Sequence, residues 1–285
     1  ITFKYNDSTN ITNNTLNCMI NFVFGTKFKE LILAENEVTT SDDGLYKYND
    51  KYYFSGTNVN NYVWFNNELW RILGNIPTCM SKDSDGTCSD LVNRVKIIRA
   101  DSIGSLAFNG ASSGTNTTWG GTGEETTINT LYTLLNEKYY GKVNATGASP
   151  CYGYQDASYG LCNYEKIGIS NSGTDYYGKM IQSVYMNVGM VSSASTMIDA
   201  AYDLEVGTLT TNATRIGLMT ASDYGYATSG ITYSSVGLSS LKSNTLNNWL
   251  YTNGFEWTIS PVSATTVISI NYYGFVSSSG TFNGC

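Results

Sequence analysis

Apolar and polar residues alternate along this chain in two periods. One predicts strands and the other predicts a few helices. Leu45, Tyr46 and Tyr48 lead into the polar pair Asn49-Asp50, and Tyr52, Tyr53 and Phe54 lead out of it. That is the pattern of a tight hairpin, with Tyr46 facing Tyr53 and Leu45 facing Phe54 as stabilising cross-strand pairs. Residues 62–73 and 94–98 predict two further strands, and the polar stretch between Cys79 and Cys88 reads as a closed loop between them. Helical spacing is rarer. Thr122-Gly-Glu-Glu125 has capping-box spacing, and Ile128, Leu131, Leu134, Leu135 and Tyr139 follow on one face up to Gly141. Tyr177, Met180, Ile181, Val184, Tyr185 and Val188 form a second stripe ending at Gly189, and a short third helix is expected over 243–251. Residues 255–282 alternate β-branched or aromatic runs with Gly/Ser turns and predict the closing strands.

The front of the chain differs. Ile1, Phe3 and Tyr5 alternate with Thr2, Lys4 and Asn6, which gives a short strand with one apolar face. A polar tether over 6–15 follows, then dense apolar residues with a short helix expected over 27–34. Two readings of the first strand stand: an ordinary strand folding back on its own domain, or a donor strand that completes a neighbour's sheet by edge addition. No repeat or linker divides the remainder. The expected organisation is an arm over 1–40 and one β-rich α+β domain with two or three helices over 41–285.

Composition narrows the function. The chain has no histidine, so the side chain best suited to proton transfer near neutral pH, and the commonest metal ligand, is missing. Charged residues make up 14%, with 16 basic against 23 acidic and a net charge of −7. No dense Lys/Arg face is present to displace counterions, which argues against a nucleic-acid partner. Abundant tyrosine (23) and glycine (28) with scarce proline (3) is the palette of a secreted, β-rich protein. No apolar run approaches the ~20 residues of a membrane span. The chain begins at Ile1 rather than methionine, as expected if an export segment has been removed; a chain trimmed for recombinant expression looks the same.

The six cysteines point to an oxidising, extracellular compartment. Cys79 and Cys88 bracket a polar loop and Cys151 and Cys162 a Tyr/Gly-rich one, so both read as local disulfides; Cys18 and Cys285 then pair by elimination. No C-x-x-C motif suggests zinc or redox chemistry, and no cofactor is expected.

Four aromatic phrases, over 61–74, 215–227, 247–250 and 257–261, are the best-specified part of the sequence, and none carries a nucleophile beside a base, a metal cluster or a phosphate loop. Gly44-Leu-Tyr-Lys with Tyr52-Tyr-Phe-Ser-Gly56, Asn61-Tyr-Val-Trp-Phe with Leu69-Trp-Arg-Ile-Leu, Val95-Lys-Ile-Ile-Arg, Ile216-Gly-Leu-Met with Ser222-Asp-Tyr-Gly-Tyr-Ala, Asn248-Trp-Leu and Trp257-Thr-Ile-Ser-Pro occur in that order. Over residues 30–285 this resembles a group of poorly characterised bacterial surface proteins, many with a pilin-like N-terminal segment. More distantly, the Trp-Arg-Ile-Leu opening and Trp-x-x-Ser-Pro ending are similar to domains of the C-type-lectin-like fold of formylglycine-generating enzymes. The lectin calcium signature and the paired active-site cysteines of those enzymes are absent, so neither calcium-mediated sugar binding nor that catalysis carries over. Relatives usually continue past the last Gly-rich turn into another apolar strand. Here the sequence stops at Phe282-Asn-Gly-Cys285, so an open sheet edge is expected where a donor strand would dock.

Other candidates have simpler readings. Asp83, Asp85 and Asp90 sit in one loop and could hold calcium, but Gly86 falls too early for an EF-hand, and a solvated hairpin tip is the simpler reading. Asp199, Asp203 and Glu205 read as a solvated acidic face, and Asp223 as a turn anchor bonding backbone amides two residues on. Asn-x-Ser/Thr sites occur at Asn6, Asn10, Asn13, Asn116, Asn144 and Asn212. The expectation is a non-enzymatic, extracellular, self-assembling filament subunit polymerised through Ile1, Phe3 and Tyr5. The alternative is an adhesin that binds host or environmental glycans.

Overall fold

The computed structural model describes residues 37–38, 44–104, 106, 108–109, 117–120, 130–142, 164, 168–169 and 177–280. The predicted hairpin is present. β2 (Gly44–Tyr48) and β3 (Lys51–Ser55) pair antiparallel, with Leu45 opposite Phe54 and Tyr46 opposite Tyr53. Asn49 takes the positive φ (54°) that such a turn demands. β1 (Glu37–Val38) adds to β2 in parallel.

The single strand expected over 62–73 is two strands. Asn66 and Asn67 both adopt left-handed φ (53° and 57°), which asparagine tolerates, so the chain reverses between β4 (Tyr62–Phe65) and β5 (Glu68–Lys82). β5 then pairs along its length with β6 (Cys88–Arg99), while β4 and β3 share its other edge. Gly74 permits the approach of β3, since a Cβ there would sit 2.0 Å from the Tyr52 carbonyl oxygen. Cys79 and Cys88 form a disulfide with Cα atoms 5.7 Å apart. It crosslinks two paired strands rather than closing a loop between them; the true loop is the exposed tip at 83–87.

A second sheet, β7 (Glu256–Pro261), β8 (Thr266–Ile270) and β9 (Val276–Gly280), supplies the expected closing strands. β8 is buried on both faces. Ile268 and Ile270 join one apolar cluster, with Leu45, Ile72, Ile198 and Leu238; Val267 joins the other, with Phe108, Trp119 and Leu134. The alternation of a strand thus divides the interior into two cores, and each buried aliphatic side chain is worth about 2 kcal/mol.

Helices depart more from expectation. Of the first stripe, α1 (Thr130–Thr133) runs into a π-helical segment, Leu134–Tyr139, burying Leu131, Leu134, Leu135 and Tyr139 as predicted. Of the second, only α2 (Tyr177–Met180) is helical. Beyond it Val184 pairs with Thr214, Tyr185 with Cys79 and Asn187 with Leu209 in extended bridges. Those sheet-like partners outweigh the local helical spacing. The helix expected over 243–251 is a 3-10 helix displaced to Leu238–Asn247, because the Asn248 side chain binds the Tyr224 carbonyl, Thr228 and the Leu250 amide. Two helices go beyond those expected: α3 (Ile198–Val206) and α4 (Ala221–Tyr226). Among the described residues, no helix is long and apolar enough to cross a membrane.

Of the arm expected over 1–40, only Glu37 and Val38 are described, as β1; Ile1, Phe3, Tyr5 and the helix expected over 27–34 lie outside the described residues. So do Cys18, Cys151, Cys162, Cys285, Asn6, Asn10, Asn13, Asn116 and Asn144.

Candidate functional site

The aromatic phrases meet around two charged nodes. In the first, the Arg71 guanidinium lies between two rings, 4.6 Å from Tyr62 and 4.2 Å from Trp249. It donates to Asn61 Oδ1 (2.8 Å), the Trp249 carbonyl (3.1 Å) and the Val59 carbonyl (3.4 Å). Asn61 in turn donates to the Ile72 carbonyl, and the Trp249 indole to that of Phe54. Burial lowers the Arg71 pKa from its usual range. Two phrases distant in sequence, 61–74 and 247–250, are thereby fastened at one cation, and the Trp249 indole ties Phe54 to them.

The second node lies where α3, α4, β6 and β7 meet. Thr220 and Asp223 form a reciprocal capping box at the start of α4, so Asp223 caps backwards onto the Thr220 amide (2.7 Å) instead of forward. Asp223 also pairs with Lys96 of β6. Beside it Glu205 of α3 is buried, 1% exposed. It accepts from the Ser222 amide (3.2 Å), the Ser222 hydroxyl and Ser260 Oγ (2.5 Å). Burial, with the neighbouring Asp223 charge, pushes its pKa up to about 7 against the serine hydrogen bonds that oppose the shift. Ser222 therefore lies against a carboxyl, but both are enclosed.

The acidic cluster is thus not a solvated face, and only Asp203 is exposed. Asp199 accepts from the Tyr48 and Tyr226 hydroxyls at 2.6 and 2.8 Å, which helps push the Tyr48 pKa up to about 12. Around it, Tyr53 stacks on Tyr226 at 4.4 Å, and Tyr233 meets Tyr48 edge-on at 5.1 Å. Glu205 is legible in principle. Ile198, Ala201 and Glu205 recur at i, i+3 and i+7, which places the glutamate on the buried stripe.

The surface carries two features of another kind. Ring-bearing residues crowd the turn between β8 and β9, where Tyr272 and Tyr273 are 60% and 71% exposed and Phe275 projects beside them. Asn271 Oδ1 accepts from the amides of Tyr273 and Phe275 at 3.0 Å, and the Tyr251 hydroxyl donates to the Tyr272 carbonyl, so the turn is well braced. Trp64, 63% exposed, stands on β4 opposite Leu69. The other feature is β9, which ends its sheet among the described residues and carries Ser277, Ser278 and Ser279 beside the doubly buried β8.

Asp83 and Asp85 are exposed at the β5–β6 tip, where Asp85 accepts from the Thr87 amide, whereas Asp90 is exposed on β6 opposite Ser81, so the three carboxylates do not share one loop. Among the described residues, no group of three or more Cys, Asp or Glu side chains converges as a metal site. Asn212 lies in a half-buried bend. An open cleft of about 540 Å³ is lined by Tyr140, Gly178, Lys179, Ile181 and Arg215, none of which belongs to either charged node.

No protein-family model matches the chain, and neither does any curated protein or solved structure.

Proposed function

We propose that this chain is a non-enzymatic, extracellular structural protein, a subunit of a bacterial surface filament built on a C-type-lectin-like frame. Copies join when Ile1, Phe3 and Tyr5 of one subunit add a strand to the sheet of the next. The observation that carries this reading is the β9 edge. An edge strand offers a row of backbone donors and acceptors, and the small serines of β9 leave room for bulky donor side chains next to the buried β8. Ladder bonds would supply affinity and side-chain pockets the register. The Cys79–Cys88 disulfide suits an oxidising exterior. Deleting residues 1–6 is expected to abolish fibres in electron micrographs and leave folded monomers; fibres from the truncated chain would refute donor-strand addition.

The braced aromatic turn favours a second reading, an adhesin or glycan-binding module. Exposed rings on a fixed turn cost solubility unless they bind something. If this reading holds, monomer retains binding on a glycan array, and replacing Tyr272 and Tyr273 together by alanine weakens it at least about tenfold with no change in assembly. Unaltered binding by the double variant would place any glycan site elsewhere.

A further inference from the structure

Lys96 and Asp223 stand 127 positions apart in sequence, yet the Lys96 ammonium lies in contact with Asp223 Oδ2. Several features converge to place them there. Lys96 is opposite Gly74 in β5, and Gly74 is opposite Tyr53 in β3. The lysine stem therefore emerges beside a residue with no side chain, which opens a way towards α4. Asp223 cannot swing aside, because the same carboxyl oxygen is held by the Thr220 amide and its own amide donates to Thr220 Oγ1. The carboxyl is 3% exposed, whereas the lysine side chain is 35% exposed.

We propose that Lys96 and Asp223 condense into an intramolecular amide, a covalent brace between β6 and α4. The ion pair already contains every atom required. One proton passes from Nζ to the carboxylate, and the neutral amine attacks Cγ. The Nζ–Cγ bond forms, the Cγ–Oδ2 bond breaks, and that oxygen leaves as water with the two protons shed by nitrogen. Charge cancels from start to finish, and nothing is oxidised or reduced. Fixed contact replaces a bimolecular encounter, a gain equivalent to an effective concentration of ~10⁵ M or more for well-oriented groups. The partly exposed lysine gives the released water a way out.

Glu205 does not touch the reacting pair; it is a positioning residue, fixing the start of α4 through Ser222. Its carboxyl, with a pKa of about 7, adds little negative charge to this corner at mildly acidic pH.

Intact-mass measurement of the purified full chain, with disulfides reduced, tests the proposal. The expected mass is one water below that of the sequence, and proteolysis yields one joined peptide containing both Lys96 and Asp223. Lys96→Arg keeps the charge pair but cannot form this amide, so its mass should return to the sequence value. Water can also be lost by cyclisation at Asp43-Gly44 or Asp85-Gly86, and that loss would persist in the arginine variant. A wild-type mass equal to the sequence mass, or a deficit that survives in Lys96→Arg, overturns the crosslink. The outcome is independent of whether the chain polymerises, so it does not stand or fall with the filament reading.

Discussion

Arg71→Ala is expected to destabilise the fold by about 3 kcal/mol or more, seen as a lower urea midpoint with an unchanged slope. Two ring contacts vanish, each worth ~0.5–2 kcal/mol depending on desolvation. The acceptors at Asn61, Val59 and Trp249 lose a charged donor, and each buried group left unpaired costs ~1–3 kcal/mol. These losses overlap, so they do not sum. Arg71→Lys is expected to recover less than half of the stability that the alanine variant loses. A lysine ammonium cannot lie flat between Tyr62 and Trp249 while its donors reach three acceptors in the geometry of a guanidinium. A loss below about 1 kcal/mol for the alanine variant would show that Arg71 is peripheral, and that the Trp-Arg-Ile-Leu phrase holds the frame through its apolar members alone.

Stability should also fall as pH rises from about 4.5 to about 7, and Glu205 should be a main cause. Below this window the carboxyl is protonated in both folded and unfolded chains. Within it the unfolded chain releases the proton while the buried glutamate retains it, so rising pH favours unfolding. The full difference is about 3 kcal/mol. Glu256, whose pKa burial also raises, works in the same direction, so the decisive readout is the difference between wild type and variant. Glu205→Gln keeps an acceptor for the serine donors and cannot ionise. Its urea stability should vary less between pH 5 and pH 7.5, and at pH 7.5 it should equal or exceed wild type. Glu205→Ala should instead lose about 2 kcal/mol at pH 5, because the Ser222 amide and the Ser222 and Ser260 hydroxyls are left without their acceptor. A glutamine variant with the same pH dependence as wild type would mean that Glu205 is ionised throughout and held so by its serines.

Much of the β framework is legible because strand signals are short in range. The Asn49-Asp50 turn and the residues on either side of it suffice to set the register of β2 and β3. The β7–β9 region announces itself by its Gly/Ser turns. The split at Asn66-Asn67 is equally local, but the apolar residues on both sides make one nearly continuous run that hides it. At 184–188 the helical spacing is real, but the backbone finds partners in Cys79, Thr214 and Leu209, and paired amides outweigh a weak helical preference.

The nodes are less legible, and for one reason. The sequence by itself determined which side chains tend to be buried and where the chain turns, since hydrophobicity and backbone preference belong to residues and near neighbours. Only the tertiary structure decided which distant residues meet. Arg71 with Trp249 and Lys96 with Asp223 are separated by 178 and 127 positions, and no local pattern records such contacts. Glu205 shows both levels. Its helical spacing from Ile198 and Ala201 says that it points inward, but only packing against Ser222 and Ser260 explains how a carboxyl is tolerated there. Burial without water makes an acidic side chain depend on its particular partners, and those partners are chosen by the fold.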